Sequence, residues 1–342
     1  MNLKQIAQEA GLSLSTVSLV LNGKPGVSQS TRDRVTQLLI QNGYNIRSSQ
    51  AKEKALSVPR RLLFIHYRGS GCLMESKDSF FIQILDGIEQ QARRSNFSLQ
   101  ILNLNQSNLK EELITASRNV DGVIIFATEL EAELVPILHY CNVPLVVIDA
   151  NFPHEQFNYI TVENKDAVFR AISYLHSLGH TQIGYLHSFE STGSIPDRER
   201  GYYSSMKELG LPINPDHVFQ LYLFADRTYD QMCRILSAHP SLPTAFVSDN
   251  DVLAIGAMRA FQDCGYRIPE DISIIGFDDS YISSISNPPL TTVHSPQPAL
   301  GRAAVNRIQE ILDTGDVNII RSSLFASLVI RNSTAPPRPT ND

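Results

Sequence analysis

From residue 62 onward, short apolar runs recur, each separated from the next by a longer polar or amphipathic stretch. This alternation limits the possible folds more than any other feature of the chain. The runs are Leu62–Tyr67, Leu99–Leu102, Gly122–Phe126, Leu145–Ile148, Ile183–His187, Ala245–Ser248 and Ile272–Phe277. Short apolar runs without polar alternation suit strands buried on both faces. Helical periodicity lies between or after them at Phe80–Arg94, Lys165–Leu178, Arg200–Leu209, Asp251–Cys264 and Leu300–Leu312. Buried strands alternating with helices give doubly wound parallel α/β sheets. Residues 62–331 are too many for one sheet of ordinary width, so two lobes with a cleft are expected. Lobe 1 is expected at about 62–160 and 291–320, and lobe 2 at about 161–290 and 321–331. The tail 332–342, ending APPRPTND, reads as disordered.

Residues 1–44 are of another kind and read as three short helices. Leu3, Ile6, Ala7 and Ala10 share one helical face, and Gly11 stops it. A second helix follows from about Ser15 to Leu21, with Val17, Val20 and Leu21 facing inward. Ser28 is a candidate N-cap for a third, which carries Val35, Leu38 and Leu39. One bracing helix, a glycine turn and a second helix are the parts of a helix-turn-helix. The second helix opens with Ser13, Ser15, Thr16 and Ser18, whose hydroxyls and nearby free amides can hold phosphate. Leu14, Ser15 and Leu19 project where base edges would lie. Residues 45–61, NIRSSQAKEKALSVPRR, are polar and basic and read as a hinge or linker.

The net charge of -6 argues against nucleic acid until its distribution is considered. Residues 1–61 hold nine basic and three acidic groups, a net of +6, whereas the remainder holds 20 basic and 32 acidic, a net of -12. A basic head on an acidic body confines any phosphate footprint to the head. No apolar run is long enough to span a membrane. The opening MNLKQIAQEAG lacks the apolar core of a secretory leader, so a cytoplasmic protein is expected. Cys72, Cys141, Cys233 and Cys264 show no metal-ligand spacing and read as free thiols. No metal and no cofactor are expected.

Candidate ligand groups stand at carboxyl ends of strands, where open α/β sheets bind. Asp149, Asp249 and Asp278 each end a strand, and Arg198 lies on the helix after another. Carboxylates accept from hydroxyls and an arginine fork donates to vicinal ones, which suits a carbohydrate or polyol. A nucleobase or a phosphorylated sugar fits the same groups. The aspartates also allow a hydrolase acid–base pair. The chain has no nucleophile elbow, no P-loop and no zinc spacing, so no enzymatic activity is expected.

The head motifs carry a family resemblance. Ile6-Ala7, Ala10-Gly11, Ser13, Ser15-Thr16-Val17-Ser18, Val20-Leu21-Asn22-Gly23, Val27-Ser28, Thr31-Arg32, Val35 and Gly43-Tyr44 resemble the head of the lactose-repressor (LacI/GalR) family. The body resembles that family's periplasmic-binding-protein-like core. Its markers include Gly87-Ile88-Glu89, Val120-Asp121-Gly122, Pro269-Glu270-Asp271-Ile272-Ser273, Gly276-Phe277-Asp278-Asp279 and Pro288-Pro289-Leu290-Thr291-Thr292-Val293.

The resemblance implies phosphate anchoring by Ser13, Thr16, Ser18, Asn22 and Tyr44, and base reading by Leu14, Ser15 and Leu19. It also implies effector contacts at Phe80, Asp149, Glu163, Arg198, Asp249 and Asp278. Leu19 departs from the arginine common there and can pack only on a thymine methyl. Glu53 stands where the family places a hinge leucine that wedges into the minor groove. Leu56 can serve only in a shifted hinge, and Lys52 and Lys54 can contact phosphate. The implied protein is a homodimeric transcriptional repressor whose operator affinity is switched by an effector. No heptad repeat marks a tetramer. A transport-type sugar-binding protein is the alternative, against which the head and the absent leader both argue.

Overall fold

The structure, a computed structural model, describes residues 2–22, 24, 26–42, 58–69, 79–190 and 193–339. Tyr44, Lys52, Glu53, Lys54 and Leu56 lie outside the described residues. The chain divides into two units, Met1–Arg60 and Arg61–Asp342.

In the first unit, Asn2 opens α1 (Leu3–Glu9) with a capping box, exchanging hydrogen bonds with Gln5. Gly11 takes φ +63°, which glycine adopts without a Cβ penalty, and turns the chain into α2 (Leu14–Leu21). α3 (Gln29–Gln41) follows. Ile6, Ala7, Ala10, Val17, Val20, Val35 and Leu39 form the core of this unit. Each large aliphatic side chain there adds about 1.5–3 kcal/mol of burial. Arg34 donates to the Ala10 carbonyl at 2.8 Å, tying α3 to the end of α1.

The second unit begins with β1 (Arg60–Tyr67), α4 (Ser79–Arg94), β2 (Phe97–Leu104), α5 (Leu109–Ser117), β3 (Gly122–Phe126), β4 (Leu145–Ile148) and β5 (Asn158–Val162). It continues with α6 (Asn164–Ser177), β6 (Ile183–Ser188), α7 (Ile195–Glu208), β7 (Val218–Leu221), α8 (Ala225–Ser237), β8 (Ala245–Ser248), α9 (Asp251–Asp263) and β9 (Ser273–Asp278). The last elements are α10 (Tyr281–Ile285), β10 (Thr291–His294), α11 (Gln297–Thr314), β11 (Arg321–Leu324) and β12 (Ser327–Val329). Two six-stranded sheets result, in the orders β11-β5-β4-β3-β1-β2 and β12-β10-β9-β8-β6-β7. Apart from β1 with β2, each neighbouring pair in these orders is parallel except β10 with β12, which is antiparallel. The two-lobed α/β architecture agrees with the sequence reading. β3, β4 and β8 are buried at every position, as their unbroken apolar runs require.

Register corrects the expected lobe limits. Thr291 pairs with Ile275, so residues 291–294 belong to lobe 2 rather than lobe 1. Arg321 pairs with Tyr159, so residues 321–324 belong to lobe 1 rather than lobe 2. The chain therefore crosses between lobes at β5–α6, β10–α11 and β11–β12. The tail is also corrected, because residues 332–339 dock on lobe 2. The buried Ser333 hydroxyl donates to the Ile274 carbonyl at 2.6 Å and accepts from the Thr291 amide at 2.8 Å. The Ala335 amide donates to Ser273 Oγ at 3.0 Å, and its carbonyl lies 2.9 Å from His180 Nε2. A proline-rich tail has few amides to satisfy, and lobe 2 supplies partners for this one.

Two local features hold the frame. α4 and α11 meet backbone to backbone: a Cβ on Gly301 would sit 2.3 Å from the Ile84 carbonyl oxygen, and one on Gly87 2.1 Å from that of Pro298. At the start of α9, the buried Asp251 carboxyl accepts from the Ser280 amide (2.7 Å), Ser280 Oγ (2.8 Å) and Thr292 Oγ1 (2.5 Å). Burial outweighs these bonds and, with the nearby Asp278 charge, pushes its pKa up to about 7.

Gly301→Val is expected to lower body stability by about 1–3 kcal/mol. The measure is the urea midpoint, and an unchanged midpoint would mean the helices separate without cost. Asp251 binds a proton more tightly folded than unfolded. Its contribution is therefore full below about pH 4 and is lost as pH rises to about 7. Denaturation of the parent and Asp251→Asn across pH 4–7 is expected to show this slope in the parent and a flatter one in the variant. Equal slopes would rule it out.

Candidate ligand cleft and nucleic-acid interface

In the first unit, Ser13 caps α2: its Oγ accepts from the Thr16 amide at 3.1 Å and lies 2.7 Å from Ser15 Oγ and 2.8 Å from Thr16 Oγ1. Asn22 closes the helix, donating through Nδ2 to the Ser18 carbonyl at 2.9 Å. Ser15, Ser18, Leu19 and Asn22 fall at i, i+3, i+4 and i+7, a stripe opposite the buried Val17 and Val20. Ser13, Leu14, Ser15 and Asn22 are exposed, whereas Thr16, Ser18 and Leu19 are half-buried. No acidic residue lies in the first turn of α2, so nothing neutralises the partial positive charge of its free amides. The result is a hydroxyl-rich face with two leucines and no guanidinium among its side chains.

In the second unit a cluster of candidate ligand groups surrounds Arg198 on α7, which is 5% exposed. Its Nε donates to Asn164 Oδ1 at 3.1 Å, Nη2 to Asp278 Oδ1 at 3.1 Å, and Nη1 to the Asp249 carbonyl. The guanidinium carbon lies 3.7 Å from the Phe277 ring centroid. Asp278 ends β9 with φ +104°. Burial raises its pKa although Arg198 opposes the shift. Gln297, the first residue of α11, donates to the Asp278 carbonyl at 2.6 Å, and its buried Oε1 has no partner.

The lobes also touch at Asp149, which follows β4 with φ +61°. It accepts from Thr128 Oγ1 of lobe 1 at 2.6 Å and from Ser194 Oγ of lobe 2 at 2.8 Å. Burial drives its pKa up to about 6 against these two bonds and the Arg198 charge. Gly193 allows this approach, because a Cβ there would lie 2.8 Å from the Thr128 carbonyl. Beside this contact opens a cavity of about 350 Å³, lined by Leu130–Glu133 and Asn151–Pro153 on lobe 1 and by Gly193, Pro196 and Arg200 on lobe 2.

The remaining sequence candidates sit differently. Asp249 is fully buried, and its carboxylate accepts from the Tyr185 hydroxyl and the Ser188 amide (2.6 Å) and faces His187 Nδ1 at 2.8 Å. Burial disfavours the charged form of His187, but the Asp249 bond and charge win and raise its pKa. Only the Asp249 carbonyl reaches Arg198, so its carboxylate positions β6 rather than facing the cleft. Glu163 is half-exposed, 3.7 Å from Arg170, and stays outside the cluster, where its neighbour Asn164 stands instead. Phe80 is buried against Phe126, with centroids 6.3 Å apart. The half-buried Phe81 stacks on His66 at 4.1 Å. His66 is held neutral by burial, which lowers its pKa to about 4.

Asn164, Thr128, Ser194 and Gln297 were not anticipated. Ser194 alone had a local signal, a serine before a helix start with Pro196 at its head. Asn164 and Gln297 are placed by lobe crossings and Thr128 by the loop after β3, none of which leaves a local pattern.

Comparison with known proteins accords with both units. Residues 2–45 match the pattern of bacterial regulatory proteins of the lacI family, and residues 172–334 match a periplasmic binding protein-like domain. The HTH-type transcriptional repressor PurR of Pasteurella multocida is 31% identical over 336 residues, covering 97% of this chain and 98% of that protein. The PurR of Haemophilus influenzae strain PittEE is 31% identical over 339 residues, covering 97% and 98%. The lac repressor dimer bound to operator and the anti-inducer ONPF superposes with TM-score 0.69 at 28% identity, covering 98% of this chain and 99% of that one. The transcriptional regulator CelR in complex with cellobiose shares the fold, with TM-score 0.71, 23% identity and 97% and 99% coverage. The chain belongs to the LacI family of bacterial regulatory proteins.

Proposed function

We propose that this chain is a cytoplasmic, homodimeric repressor that binds operator DNA through α2 and is switched by a hydroxyl-rich effector, a sugar or sugar derivative, held between the lobes. The observation that carries the effector reading is the Arg198 cluster. A buried guanidinium paired with Asp278 and bracketed by Asn164 and Gln297 offers alternating donors and acceptors to vicinal hydroxyls. Asn164 and Gln297 are the first residues of helices entered on crossing between lobes, so an effector bound there would touch the joints about which the lobes turn. A nucleobase is the second reading, favoured by the flat Phe81–His66 stack.

The Asp149–Ser194 bond spans the lobes. An effector that makes different contacts in the open and closed arrangements shifts their balance by its differential affinity, about 1–3 kcal/mol of coupling in regulators of this size. Which direction releases DNA depends on the arrangement that holds two heads at operator spacing. On the operator, Leu14 and Leu19 read by apolar contact, and the hydroxyls and free amides of α2 anchor phosphate.

A thermal-shift series of sugars and sugar phosphates against purine and pyrimidine nucleobases tests the effector class. A ligand at a hundred times its Kd stabilises by about 2.7 kcal/mol. A shift with nucleobases alone overturns the sugar reading. With the active compound, Arg198→Lys, which keeps the buried positive charge, is expected to abolish the shift and leave ligand-free operator affinity unchanged; equal loss of both would make Arg198 structural. Leu19→Arg is expected to move one operator position toward guanine by about 1–3 kcal/mol. Binding-site selection reads this, and an unaltered site would remove Leu19 from base reading.

A further inference from the structure

Away from the cleft, α8 and α9 bring two cysteines together. The helices pack closely: a Cβ on Gly256 of α9 would lie 2.8 Å from the Ala225 carbonyl and 2.8 Å from Thr228 Cβ of α8. One turn along, the Tyr229 hydroxyl donates to Asp263 at 2.9 Å, and Arg259 lies 4.5 Å from the Tyr229 ring centroid. Cys233 is one turn beyond Tyr229 on α8, and Cys264 follows Asp263 as the C-cap of α9. Cys233 and Cys264 thus flank the Tyr229–Asp263 bond from the two facing helices, and the Cys233 thiol helps to raise the Cys264 pKa. Both thiols are free; Cys264 is exposed and Cys233 half-buried.

We propose that Cys233 and Cys264 form a reversible dithiol–disulfide site on lobe 2, closed by exchange with a low-molecular-weight disulfide such as oxidised glutathione. Cys264 loses its proton to solvent, and its thiolate attacks one sulfur of the reagent. A mixed disulfide forms, the reagent's S–S bond breaks, and one glutathione thiolate leaves and is protonated. Cys233 then loses its proton and attacks Cys264 Sγ, which expels the second glutathione. Two protein thiols are oxidised by two electrons, and one disulfide is reduced to two thiols. The exposed cysteine attacks first and the half-buried one resolves, which follows their accessibility.

The surroundings set the rate. Burial, the Cys233 thiol and the Asp263 charge all raise the Cys264 pKa, so its thiolate is scarce at neutral pH. Closure is therefore slow at pH 7 and accelerates about tenfold per pH unit toward the thiol pKa. α9 starts two residues after Asp249, whose carbonyl Arg198 grips. The disulfide would thus anchor the far end of a helix that follows directly from a cleft contact.

The test uses the full chain carrying Cys72→Ser and Cys141→Ser, which leaves only this pair. After treatment with oxidised glutathione at pH 8.5, the thiol titre of the denatured protein is expected to fall from two to zero. Non-reducing peptide mapping should show the 233 and 264 peptides linked within one chain, and dithiothreitol should reverse the link. Adding Cys233→Ser is expected to leave one glutathione adduct at Cys264. Two retained thiols, two stable glutathione adducts or a link between separate chains would each overturn the proposal.

Discussion

A guanidinium removed from water must be matched by partners, because an unpaired buried charge costs several kcal/mol, roughly 3–5 when one partner is deleted. Arg198 is matched by groups from separated parts of the sequence: the Asn164 amide, the Asp249 carbonyl and the Asp278 carboxylate, over the Phe277 ring. These groups stand at the start of α6 and at the carboxyl ends of β8 and β9. Satisfying one side chain therefore fixes how the ends of lobe 2's central strands approach the crossing into it. The same requirement explains the unusual backbone at Asp278, whose φ of +104° turns its carboxylate toward the arginine.

The carboxylates around it divide by what satisfies them. Asp249 spends both oxygens on Tyr185, His187 and Ser188, and so belongs to the frame. Asp251 does the same for Ser280 and Thr292. Asp149 is shared between lobes through Thr128 and Ser194. Position at a strand end is thus not sufficient for a cleft contact. An aspartate there can as readily hold neighbouring strands and loops in register.

That division marks what was legible in the sequence. The head was readable because a glycine turn and helical periodicity are local, and Gly11, Val17 and Val20 each sit where those patterns require. Strands buried on both faces were readable from apolar runs alone, as at β3, β4 and β8. β11 was not, because Arg-Ser-Ser-Leu is a half-exposed strand at the edge of its sheet with little apolar burial to announce it. β10 was assigned to the wrong lobe because Thr-Thr-Val-His has the same character in either sheet, and only pairing with β9 decides. Glu163 and Asn164 are adjacent, yet the helix start at Asn164 turns one toward Arg198 and leaves the other beside Arg170. Sequence position resolved that site to within a residue, and side-chain direction did the rest.

The crossings also explain how a ligand at the candidate site would govern both lobes. Three strands of chain join the lobes, and two of the helices they enter begin with a residue of the Arg198 cluster, Asn164 of α6 and Gln297 of α11. A rotation of one lobe against the other must change dihedrals in these connections, and therefore the distance between Gln297 on lobe 1 and Asp278 on lobe 2. The Asp149–Ser194 bond lies off the crossings, so it resists the same rotation at a different point. The two contacts differ in strength. The first is a buried, charge-assisted network, and the second is one hydroxyl donating to a carboxyl whose pKa of about 6 leaves it partly protonated in mildly acidic solution. An open arrangement therefore loses the Asp149–Ser194 contact at modest cost while the Arg198–Asp278 pair, both on lobe 2, survives. The pair stays organised in either arrangement, and the lobe-to-lobe contacts around it are what a ligand can remake.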